Sequence, residues 1–217
     1  MLQIIQTLGD LALVPVVKIE QAEDAIKLGK ALLNGGLPCA EITFRTESAE
    51  EAIRSIASTL PEIILGAGTV LTVDQAENAT GAGAQFVVAP GFNPKVVDWC
   101  LEHNVPVIPG VATPTEIEMA LDKGLNILKF FPAQKMGGIE MLKAIAAPYS
   151  GVKFIPTGGL NAQNLADYLK LPMVFACGGS WFVKANLISS GNFSEITRLT
   201  KEAVEIVHQH RDVGGSK

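Results

Sequence analysis

The chain has 217 residues, 48% hydrophobic and 18% charged, a size and balance that suit one large domain with a substantial core and exclude a disordered chain. A formal net charge of −5, with no basic stripe carrying interleaved aromatics, argues against a nucleic-acid partner. No apolar run reaches bilayer length and the first residues lack the pattern of a secretory leader, so the expectation is a cytoplasmic protein with no membrane association.

In chain order, "MLQIIQTL" predicts a short extra helix at the N-terminus. Eight β-rich runs then follow: "LALVPVV", "CAEITFR", "EIILGAGTV", "QFVVAPG", "VPVIPGVA", "ILKFFPA", "KFIPTGG" and "MVFACGGS". Between them lie amphipathic stretches, several opening at a capping residue or proline and closing at Gly or Asn. In residues 48–60, for example, apolar positions 49, 52, 53, 56, 57 and 60 form one helical stripe suited to covering a sheet.

Such alternation permits an open doubly wound sheet or a closed barrel. Eight units, with no GxGxxG after the first strand and no linker, favour an α/β fold of the (β/α)8 TIM-barrel type, as a single domain over residues 1–217. The final "RDVGGSK" reads as loose. Cys39, Cys100 and Cys177 are odd in number and widely spaced, and read as reduced thiols.

In a barrel of this kind the chemistry sits where the strands end. Period-two alternation puts Cys39, Glu41, Thr43 and Arg45 on one face and Ala40, Ile42 and Phe44 on the other; the apolar set should face the helices. By the same rule Ile127, Lys129 and Phe131 share a face, with Phe131 and Pro132 as an apolar wall over the amine. An in-strand lysine is commonly one half of an ion pair that only fixes packing. Here a strand end, apolar neighbours and an available carboxylate favour a lysine that attacks carbonyls, with Glu41 moving protons. Lys18, the rival nucleophile, lacks such a wall.

Arg45 is either a rim salt bridge or a fork for a substrate carboxylate, with Thr69 of "GAGTV" adding a hydroxyl. "PTGG" and "GGSW" close the last two strands, and glycine-rich loops at those positions form a phosphate seat. Phosphate there and carboxylate at Arg45 would stretch a substrate across Lys129. His103, His208 and His210 are scattered, and no metal site is expected.

"GLPCAEITFR" (36–45) and "GLNILKFFPAQKMG" (124–137) closely resemble the two active-site motifs of the bacterial 2-keto-3-deoxy-6-phosphogluconate (KDPG) / 4-hydroxy-2-oxoglutarate (KHG) aldolase family. "VPVV", "GAGTVL", "PTGG" and "GGSW" follow in the family's order, with Gln134 standing where relatives often carry an acid. The resemblance implies a homotrimeric class I aldolase with no cofactor, in which Lys129 forms a Schiff base and Glu41 is the general acid/base. It also implies that Arg45 and Thr69, with Thr157 beside them, hold the pyruvyl carboxylate, and that Gly158, Gly159, Gly179 and Ser180 hold the phosphate. The implied reaction is cleavage of KDPG to pyruvate and glyceraldehyde 3-phosphate in the Entner-Doudoroff route, with KHG cleavage as a second activity. The alternatives are the 6-phosphogalactonate analogue as substrate, a phosphosugar isomerase or epimerase, and a non-catalytic phosphate-ligand sensor.

Overall fold

The structure, a computed structural model, describes residues 2–211. The helix α1 (Leu2–Leu11) leads into β1 (Leu13–Val17), α2 (Ala25–Asn34), β2 (Cys39–Thr43), α3 (Ala49–Thr59) and β3 (Ile64–Gly68). Next come α4 (Val73–Gly81), β4 (Phe86–Val88), α5 (Pro94–Glu102), β5 (Val107–Ile108), β6 (Gly110–Val111) and α6 (Pro114–Asp122). The chain continues through β7 (Ile127–Phe130), α7 (Gly138–Ala146), β8 (Lys153–Pro156), α8 (Leu165–Leu169), β9 (Cys177–Gly179), α9 (Ala185–Ser189) and α10 (Phe193–Arg211). Of the tail expected to be loose, Arg211 ends α10 and the rest lies outside the described residues.

Every strand pair is parallel, in the orders β5-β4-β3-β2-β1-β9 and β6-β7-β8. Each of the eight expected runs contains a strand, and the fifth is broken into β5 and β6 at Pro109. Proline brings no N–H to a ladder. The chain is also pressed against its neighbour here, since a Cβ on Gly110 would lie 2.1 Å from the Pro90 carbonyl oxygen. An isolated parallel bridge between Thr157 and Gly178 joins the end of β8 to β9.

The sheet is curled. Val14, Cys39, Phe86, Val88, Ile108 and Ile155, from strands spread across both orders, meet in one buried cluster on the concave side. Leu8 of α1 joins them, with Ile4 and Ile5 packed alongside, so the N-terminal helix closes the end at which the strands begin. Residues of opposite parity (Ala40, Ile42, Ala67, Val87, Leu128, Phe130) belong to the larger core between sheet and helices. That partition is the one the alternation of β2 and β7 predicts.

Local chemistry sets the helix starts. Thr113 and Glu116 form a reciprocal capping box at α6, and Thr72 and Asn93 cap α4 and α5 through their side chains. The 19-residue α10 buries Ile196, Thr200, Ala203 and Val207, and Thr197 donates to the Ala31 carbonyl of α2 at 3.1 Å. No helix among the described residues is long and apolar enough to cross a membrane.

Candidate active site

Lys129 and Glu41 meet on the concave side of the sheet. Lys129 Nζ donates to Glu41 Oε1 at 3.4 Å, and the two residues are only 4% and 3% exposed. They come from β7 and β2, 88 positions apart in sequence, and the inward parity of each strand brings them together. Both charged groups give up water to be there, at a cost of several kcal/mol per ion for a partnership that apolar residues could replace. The Nζ also lies 5.3 Å from the centroid of the Phe131 ring. The pair borders a space of about 10 Å³ with Val14, Phe86, Val88, Ile108, Ile155 and Thr157, so nothing larger than a water-sized group fits between them and the apolar column below.

Space for the Glu41 carboxylate comes from Gly68. A Cβ at that position would fall 2.2 Å from Glu41 Oε1. Thr69, next in the chain, takes φ +56°, a left-handed conformation unusual for a β-branched residue and often associated with function. Thr69 is half-buried and is not among the residues lining the cavities around Lys129. Thr43 points inward as expected, but its hydroxyl is used structurally, donating to the Val17 carbonyl of β1 at 2.7 Å.

Above the pair lies a wider cavity of about 150 Å³, bordered by Arg45, Phe131, Thr157, Gly158, Gly159, Gly179 and Ser180 among others. Thr157 lines both spaces and marks the passage between them. Pro132 stands against the glycine loop, its Cα 3.3 Å from where a Gly158 Cβ would lie. Gly158 and Gly159 have φ values of +99° and +84°, conformations that side-chain-bearing residues rarely adopt. Among the described residues no turn or loop hydrogen bond takes up the N–H of Gly159 or Ser180, which leaves these donors at the cavity for an anion.

Arg45 departs from the expected picture in two ways. The strand ends at Thr43, and Arg45 sits in the turn that follows, its N–H donating to the Thr43 carbonyl at 2.7 Å, so strand alternation no longer sets its direction. It is exposed, has no carboxylate partner among the described residues, and borders the same cavity as the glycine loops. A carboxylate site at Arg45 and a phosphate site at the glycines are therefore neighbours on one cavity and do not stand at its opposite ends. Lys18 is partly exposed and paired with Glu20 at 2.5 Å.

Several supporting contacts were not expected from sequence. Gly178 makes room for Thr157, since a Cβ there would lie 2.2 Å from the Thr157 hydroxyl oxygen. The Gln134 N–H donates to the Gly158 carbonyl at 3.0 Å and its side-chain amide to the Tyr168 hydroxyl at 3.1 Å, while Asn164 donates to the Gly159 carbonyl at 3.2 Å. The one available sequence signal was the density of glycine beside the reactive strand ends. Among the described residues no three His, Cys, Asp or Glu side chains gather into a metal-binding group. His103 stacks on Trp99 at 4.3 Å, and His210 contacts the Ile206 carbonyl.

A buried amine beside a buried carboxylate, under a mouth that carries anion donors, is equipment suited to an enzyme that handles carbonyl compounds covalently. The chain belongs to the KDPG and KHG aldolase family, whose model matches residues 4–199, and its class is therefore carbon-carbon lyase. It is 52% identical over 207 residues to 2-dehydro-3-deoxy-phosphogluconate aldolase of Treponema pallidum, covering 95% of this chain and 99% of that protein. The crystal structure of a Legionella pneumophila KDPG aldolase with pyruvate captured as a covalent carbinolamine superposes with a TM-score of 0.87 at 41% identity, covering 90% of this chain and 97% of the other. The Zymomonas mobilis 2-keto-3-deoxy-6-phosphogluconate aldolase with 3-phosphoglycerate matches equally, at 0.87 and 38% identity over 93% and 95% of the two chains.

Proposed function

We propose that this chain is a class I aldolase that cleaves 2-keto-3-deoxy-6-phosphogluconate to pyruvate and glyceraldehyde 3-phosphate, the Entner-Doudoroff step, and also cleaves 4-hydroxy-2-oxoglutarate to pyruvate and glyoxylate. The observation that carries this reading is the buried Lys129–Glu41 pair at 3.4 Å. The 52% identity to a named aldolase supports the substrate.

Lys129 Nζ, in its neutral form, adds to the C2 ketone to give a carbinolamine, and Glu41 moves the protons needed to expel water and form the iminium. Glu41, directly or through a water, takes the C4 hydroxyl proton. The C3–C4 bonding electrons flow into the iminium and the aldehyde departs, leaving an enamine. Protonation at C3 and hydrolysis release pyruvate and restore the amine. Arg45, with Thr157 beside it, holds the carboxylate, a role the family resemblance extends to Thr69 although Thr69 does not line the cavity; Gly158, Gly159, Gly179 and Ser180 hold the phosphate; Phe131 and Pro132 wall the reacting carbon.

The same reading takes the curled sheet as a closed (β/α)8 barrel. The Thr157–Gly178 bridge and the succession of β5 and β6 across Pro109 support this. It takes residues 1–217 as one domain, consistent with a core cluster running from Ala12 to Val207. The family resemblance supports a cytoplasmic homotrimer.

Borohydride reduction in the presence of pyruvate, followed by peptide mapping, tests the proposal together with coupled pyruvate detection in EDTA. A reduced adduct on Lys129 is expected. An adduct on Lys18, or none, defeats the assignment.

A further inference from the structure

Beside the anion cavity lies a second one of about 240 Å³, lined by Val16, Lys18, Arg45, Ser180, Val183, Lys184 and Ala185. It shares Val16, Arg45 and Ser180 with the first. Lys18, Arg45 and Lys184 therefore surround one space at the mouth, on a chain whose net charge is −5. The only carboxylate paired with any of them among the described residues is Glu20, on Lys18. Lys184 is exposed and paired with none.

The backbone fixes where Lys184 stands. A turn closes from Ser180 to Val183, the Val183 N–H donating to the Ser180 carbonyl at 3.2 Å. The Lys184 carbonyl then accepts from Leu187 and Ile188 at the start of α9. The two anchors fix the Lys184 backbone between that turn and α9, and the residue lines the cavity together with Ser180 and Lys18.

We propose that Lys184, assisted by Lys18, is a specificity residue that receives the dianionic phosphate of substrate at the mouth and selects phosphorylated 2-oxo acids. The inference rests on the aldolase reading for its substrate. The glycine loops offer N–H donors without formal charge, and a phosphate carries close to two negative charges near neutral pH. The proposed function assigns Arg45, which borders both cavities, to the carboxylate. The cavity sharing Ser180 with the glycine site supplies the missing cations, and a cationic mouth on an acidic protein also draws a polyanion in.

The experiment compares Lys184→Gln and Lys184→Glu with Lys201→Gln, an equal charge change on an exposed lysine of α10. Three readouts are taken: kcat/KM for the phosphorylated substrate across ionic strength, exchange of the pyruvate methyl protons with deuterium, and affinity for inorganic phosphate by 31P NMR. Expected are a loss of about tenfold in kcat/KM for Lys184→Gln and a larger one for Lys184→Glu, carried by KM, with a flatter salt dependence and weaker phosphate binding. Pyruvate exchange, which involves no phosphate, changes much less, and Lys201→Gln matches the parent protein. The proposal is overturned if Lys184→Glu leaves kcat/KM and phosphate affinity within twofold, or if pyruvate exchange falls in proportion to cleavage. Absence of pyruvate exchange in the parent protein would instead defeat the aldolase reading, while the phosphate titration would still decide the role of Lys184.

Discussion

Gly68 and Glu41 occupy one volume between them: a Cβ on the glycine would sit 2.2 Å from the glutamate Oε1. Gly68→Ala therefore moves the carboxylate off its position beside Lys129 while deleting no ionisable group. The expected result is a loss of about 10²-fold or more in kcat with the far-ultraviolet circular dichroism retained, because proton transfer depends on hydrogen-bond reach. Normal turnover would mean that Glu41 is not needed where it stands.

Glu41→Gln keeps the shape and removes the proton carrier. Turnover should fall by about 10² to 10⁴-fold, with slower formation of the borohydride-trapped adduct on Lys129. Rapid-quench trapping against time separates slowed adduct formation from slowed cleavage, and near-normal kinetics in both would remove the acid/base role.

Arg45 is exposed and unpartnered among the described residues, so its removal costs the fold little. For Arg45→Ala, KM for pyruvate in the exchange reaction should rise by about 10 to 100-fold, the range set by one charge-assisted hydrogen-bonding group. Thermal unfolding should stay within a degree or two of the parent. A large drop in melting temperature would instead mark Arg45 as structural.

Cys39, Cys100 and Cys177 are all fully buried. Burial, and secondarily the charge of Glu41, pushes the Cys39 thiol strongly up; burial does the same to Cys177 and raises Cys100 to about 12. The folded protein should resist thiol reagents until it is unfolded. Free thiols ionise near pH ~8.5, so below that value the stabilising contribution is fully present. Above it the unfolded chain sheds protons the folded chain retains, and each thiol costs about 1.4 kcal/mol of stability per pH unit until its folded value is reached. Urea midpoints measured from pH 8 to 10 should fall accordingly, and less steeply in a Cys100→Ala variant.

The parts of the site that lie on strands were legible in advance because side-chain parity is a local rule. Glu41 and Lys129 could be assigned inward from the apolar residues that alternate with them, and the structure pairs them. Parity stops where the strand stops. Arg45 lies two residues beyond β2, and its place beside the glycine loops depends on how that turn runs, which no periodicity records. Close approach was equally hidden. That Gly68 makes room for Glu41, Gly178 for Thr157 and Gly110 for the Pro90 carbonyl follows from how closely successive units of the sheet approach one another, which no local pattern records. The break at Pro109 had a local cause in the proline, yet an apolar run with one proline still reads as a single strand.

On the proposed closed barrel, the packed column from Val14 to Ile155, stoppered by Leu8 of the first helix, leaves the lysine at the bottom of a blind well. With one opening, order of departure is fixed by depth. Under the proposed chemistry the aldehyde fragment, held nearer the lip, must clear before hydrolytic water can descend to the enamine-derived imine, and pyruvate goes last. Aldehyde in excess should therefore plug the well above a loaded lysine and drive the reaction backward, toward carbon-carbon bond formation.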